Sequence, residues 1–236
     1  MNICFGGNVH PPQKTSSGVS GINGELLNDQ PVRFTGDIEM DLSAATWGKV
    51  FGGNFVCTQP GILYIIDVEW RNNLTSVTGA QAITIPAGTL SSCHLGLLVT
   101  AAAGAAVPAW TITYTNEISV AGRTSTGSYL PAVTNMGSGC FFPCNMQAGD
   151  RTVSSVQSFN YTTAPTNASC TSLMMYNIIA AFPVYPALSG QRIRKGIPLE
   201  MSSFRNVYAG RTIEAVWMPM VSGLHALTGS FHAAAS

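Results

Sequence analysis

Cys93 and His94 are the one adjacent thiol and imidazole in the chain, the pairing a cysteine nucleophile and its general base would use. The surrounding stretch, 93–101, reads as a strand. Neighbours in a strand point to opposite faces, so these two side chains do not meet as a dyad. Cys140 and Cys144 form a second candidate in Gly139-Cys140-Phe141-Phe142-Pro143-Cys144. A structural zinc site takes four ligands, usually from two such pairs. Only isolated cysteines (4, 57, 93, 170) and scattered histidines (10, 94, 225, 232) remain to complete one. A disulfide, or two thiols flanking an aromatic turn, is expected there instead. Asp37, Glu39 and Asp41 are two residues apart, which in a strand aligns three carboxylates on one face. Calcium asks for six or more oxygens, and a solvated face with Ile38, Met40 and Leu42 turned inward explains the pattern without a metal. There is no G-x-S-x-G, H-E-x-x-H, P-loop or dinucleotide-binding glycine pattern. The expectation is a non-enzymatic chain with no catalytic residue, no metal ligand and no cofactor.

The elements that would position any site are β-strands. Leu, Lys and Glu are scarce, whereas Gly, Thr, Ser, Ala, Val and Ile abound. Branched side chains pack on pleated surfaces and glycine supplies unusual backbone angles. Short apolar or alternating runs separated by turn residues mark strands near 32–42, 49–57, 61–71, 93–101 and 110–120. Further strands are expected near 152–159, 172–182, 191–202, 211–218 and 224–233. In the clearest, 61–71, Ile66, Val68 and Trp70 alternate with Asp67 and Glu69, predicting one apolar and one acidic face. Pro60–Gly61 reads as a tight turn in which glycine takes a positive φ. Residues 1–29 read as an extended arm that orders against a neighbour, and 30–236 as a single β-sandwich domain. A long surface excursion is expected near 121–150.

Charge narrows the function. Charged residues are 9% of the chain against about 25% in ordinary globular proteins. Eleven basic and eleven acidic residues cancel. A chain this uncharged has little colloidal protection and tends to associate. Neutrality also argues against direct nucleic-acid binding, which needs clustered cations. The one local cluster, Arg192, Arg194 and Lys195, reads as a solvated strand edge. Met1–Pro12 does not resemble a signal peptide, and the apolar stretch Leu95–Ala109 is too short to span a bilayer. Sequons begin at Asn73, Asn160 and Asn167 but signify little without export. The cysteines are expected to be buried thiols.

Three segments resemble the C1q/TNF-like jelly roll, whose protomers pack as trimers. Phe55-Val56-Cys57-Thr58-Gln59-Pro60-Gly61-Ile62-Leu63-Tyr64-Ile65-Ile66 is similar to that family's F-x-C-x-x-P-G-x-Y-x-F strand pair. Leu188-Ser189-Gly190-Gln191-Arg192-Ile193 is similar to its L-x-x-G-x-x-V/I strand. Tyr208-Ala209-Gly210-Arg211-Thr212-Ile213-Glu214-Ala215-Val216-Trp217-Met218-Pro219 is similar to its closing strand. The segment from Gly210 onward, with Leu227-Thr228-Gly229-Ser230-Phe231-His232, also resembles a strand pair of icosahedral virus jelly-roll coat proteins. The resemblance implies an all-β antiparallel jelly-roll sandwich of the kind found in virion (phage) decoration, cement or fibre-knob proteins. It implies a homotrimer whose other partners are a major capsid protein or other virion proteins, located in the virion after assembly in the host cytoplasm. A receptor- or glycan-binding knob and a shell-forming coat subunit are the alternatives. Neither nucleic acid nor membrane is expected as a direct partner. The Gly61–Trp70 strand and the strand around Trp217 are expected to supply the trimer contact.

Overall fold

A computed structural model of the chain describes residues 2–9, 32–33, 47–57, 60–86, 92–101, 104, 107–128, 141–167, 170–186, 194–196, 207–208, 212–219 and 227–235. Among these there is no helix, and hence none long and apolar enough to cross a membrane. The described residues form fifteen strands in order: β1 Asn2–Val9, β2 Val32–Arg33, β3 Trp47–Cys57, β4 Gly61–Leu74, β5 Gly79–Ala82, β6 His94–Val99, β7 Ala109–Asn116, β8 Arg123–Ser128, β9 Phe141–Pro143, β10 Val153–Thr163, β11 Thr171–Val184, β12 Arg194–Gly196, β13 Val207–Tyr208, β14 Thr212–Pro219 and β15 Leu227–Ala235. Cα packing divides them into two units. The first holds β1–β3, Gly61–Val68 of β4, Ile178–Val184 of β11 and β12–β15. The second holds Glu69–Leu74 of β4, β5–β10 and Thr171–Asn177 of β11.

In the first unit one sheet runs β1-β15-β3-β12, with β13 also paired to β3. All its pairings are antiparallel. Of the stretch read as an arm, Asn2–Val9 is β1 and pairs with β15 of the same chain; residues 10–29 lie outside the described residues. Arg194 and Lys195 lie on β12, at the end of the sheet order, while Arg192 is outside the described residues. β14 pairs with β4 along its length, from Thr212 opposite Val68 to Pro219 opposite Gly61. That pairing makes Gly61 an extended strand residue, so the positive φ expected of it in a type II turn does not arise. It also corrects the reading of β4. Leu63 and Ile65 are fully buried and Asp67, two residues on, is 5% exposed. The face expected to be acidic and wet is therefore the more deeply buried one, because the two-residue period set by Leu63 and Ile65 runs on into Asp67. The opposite face carries Ile62, Tyr64 and Val68, all half-buried, and the buried Ile66.

The second unit is built from two antiparallel four-stranded sheets. One runs β4-β11-β6-β9 and the other carries β10-β7-β8, with β5 beside β10. β7 alternates without exception: Trp110, Ile112, Tyr114 and Asn116 are buried, and Thr111, Thr113 and Thr115 are half-buried. β10 does not alternate. Its inward residues Val153, Val156, Phe159 and Tyr161 are spaced three, three and two apart, yet they meet Asn116, Tyr114, Ile112 and Trp110 in order. Two register shifts, at Ser154 and Gln157, make this possible; a third, beyond Tyr161, leaves Thr162 without an opposite residue as well. Each bulge advances the strand by one position and restores the inward face. Two of the bulged side chains are used: Ser154 Oγ donates to Asn116 O (2.9 Å), and Gln157 Nε2 donates to Thr115 Oγ1 (2.9 Å).

Trp110 of one sheet meets Phe142 of the other edge-on, with centroids 6.0 Å apart, and reciprocal backbone bonds join Cys93 to Val153. The stretch 121–150 contributes β8 and β9, whose Ser125, Phe141 and Phe142 are buried; residues 129–140 lie outside the described residues. Trp110 lies opposite Gly127 on β8. A Cβ at Gly127 would sit 2.7 Å from the indole. Gly127→Ala is therefore expected to destabilise the fold by about 1–3 kcal/mol, the usual range for overpacking, read as a lowered melting temperature.

Candidate functional site

The densest polar arrangement among the described residues lies where the β7–β8 hairpin meets the segment 144–152. β7 brings Tyr114 and Asn116 inward at consecutive buried positions. β8 brings in Arg123, opposite Tyr114. Between them stands Asp150, whose side chain is 4% exposed. Its Oδ2 accepts from Tyr114 Oη at 2.7 Å and from Arg123 Nε at 2.8 Å. Its Oδ1 accepts from Asn116 Nδ2 at 2.8 Å and from Arg123 Nη2 at 3.1 Å. A carboxylate offers about four lone-pair sites, and all are engaged.

The second tier continues the pattern. Tyr114 Oη accepts from Gln147 N (2.8 Å), and Arg123 Nη2 also donates to Ala148 O (3.2 Å). Asn116 Oδ1 accepts from Val120 N at 2.8 Å, closing the hairpin turn. Glu117 accepts from the backbone of Arg151 and Thr152. Gln147 Oε1 accepts from Thr124 N on β8. The segment is thus tied to the hairpin from several directions, by part-buried bonds at Gln147 and Thr152 and by exposed ones at Ala148, Thr124 and Arg151.

The electrostatics follow the bonds. The Arg123 guanidinium, then the Asn116 amide, hold the Asp150 carboxyl well below the usual carboxylate range. The same bond to Asp150 raises Arg123. Burial, and then donation to Asp150, raise the Tyr114 hydroxyl. Backbone N–H donors, its own and that of Thr152, hold Glu117 low. A carboxylate with every lone pair occupied and its proton affinity suppressed is a poor general base, since Brønsted behaviour favours a pKa near the working pH. The arrangement is suited to fastening a loop.

The residues singled out in the sequence fall elsewhere. Cys93 is fully buried and accepts a long contact from Asn177 Nδ2 (3.5 Å). His94 lies beside Tyr176, its register partner across β11, with ring centroids 5.6 Å apart. The two side chains address different neighbours. Cys144 is a thiol that burial pushes up to about 12, leaving it protonated at neutral pH; Cys140 is outside the described residues. Cys93 and Cys170 are buried thiols, whereas Cys144 is half-buried. Asp37, Glu39 and Asp41 lie outside the described residues. Among the described residues no three His, Cys, Asp or Glu side chains converge as a metal site would require.

The Asp150 cluster escaped sequence reading because its other members lie 27 to 36 residues from Asp150. One signal was present: Asn116 ends an otherwise apolar inward row, Trp110-Ile112-Tyr114-Asn116, and a buried amide at such a position calls for a partner. The chain matches no protein-family model, no curated protein and no solved structure.

Proposed function

We propose that this chain is a virion structural protein: a jelly-roll module of the C1q/TNF-like kind that assembles as a homotrimer and decorates or cements a capsid through surface contacts. The observation that carries the reading is the half-buried apolar face of β4. Ile62, Tyr64 and Val68 lie in one row and remain partly exposed in the single chain, as an apolar face covered by a second copy would. Leu63 and Ile65, on the other face, are buried within the chain, and so is Ile66 of this row, so the contact draws on the row's three half-buried members. Supporting it are the neutral charge and a polar cluster at Asp150 that is spent on internal fastening. The module acts without chemistry of its own, and its partners are further copies and a major capsid protein.

Light scattering of the purified protein is expected to give three times 24.8 kDa, about 74 kDa. Tyr64→Arg should shift this to the monomer mass while the circular dichroism of the strands is kept, because a buried cation at an interface is strongly unfavourable. A wild-type monomer at micromolar concentration would overturn the trimer, and closed shells in electron micrographs would point to a coat subunit instead. His94→Ala is expected to leave assembly unchanged and to abolish no hydrolase activity. A reproducible hydrolase activity lost in that variant would defeat the non-enzymatic reading.

A further inference from the structure

We draw no further inference here: the strongest candidate, the aliphatic tip of the β7–β8 hairpin at Ile118 and Val120, is exposed and held in shape by Asn116, but nothing in the structure shows what covers it.

Discussion

Asp150→Ala unfastens the segment 144–152 and lowers the melting temperature by several degrees, with the loss concentrated in one region. Removing the carboxylate leaves Tyr114 Oη, Asn116 Nδ2 and two Arg123 nitrogens without the acceptor they share. Buried donors stripped of a partner cost more than the bond itself contributed. Hydrogen exchange should locate the effect. The amides of Gln147 and Arg151, bonded to Tyr114 and Glu117, should exchange faster. The amides of the β4-β11-β6-β9 sheet should stay protected. Tyr114→Phe removes a single donor and should be the milder variant. If Asp150→Ala leaves the protection of this segment unchanged, the clasp has no structural weight.

The same carboxylate fixes a dependence on pH. Its folded pKa lies below its ordinary value, so the stability it adds is fully present above the unfolded pKa, near 4. As pH falls below 4 the unfolded chain takes up a proton that the folded chain refuses, and that stability is lost. The gap in stability between wild type and Asp150→Asn should therefore be constant from pH 7 to about 5 and shrink below 4. Thermal melts at neutral pH and below pH 4, about the unfolded pKa, read the sign directly.

Strand existence was legible in the sequence wherever the apolar period was kept. The runs read at 49–57, 61–71, 110–120, 172–182 and 211–218 correspond to β3, β4, β7, β11 and β14. What was not legible has physical causes. β10 was read as a strand near 152–159, but not its bulges: its inward row breaks period twice, and a bulge leaves no mark in composition because any polar residue can fill it. Asp67 was misplaced because a charged residue was assumed to mark the wet face, whereas the period set by Leu63 and Ile65 governs. Gly61 was read from its neighbour Pro60 as a turn residue, but its pairing with Pro219 puts it in the strand. The Asp150 cluster depends on loop closure over about thirty residues, which no local pattern encodes.

Gly96→Val is the substitution expected to damage the core most directly. Gly96 lies in β6, opposite Met174 of β11 on one side and Pro143 of β9 on the other. The ring tip of Phe141 occupies the space a Cβ would need, and Tyr176 lies 3.2 Å from that point. A ring tip at a surface could swing away. Phe141 is 2% exposed and meets Tyr176 edge-on at 5.3 Å, so it has nowhere to go without moving a second aromatic. Overpacking of this kind costs about 1–3 kcal/mol and occasionally more, a fall of roughly 2–4 °C in melting temperature per kcal/mol for a chain of this size. Phe141→Ala alone should cost about 3–5 kcal/mol through the cavity it leaves. The two changes occupy and vacate the same space, so the double variant should be distinctly more stable than the sum of the single losses predicts. Simple additivity in thermal melts of the four proteins would mean that Phe141 does not pack against Gly96, and the β6–β9 edge of the sheet would need to be redrawn.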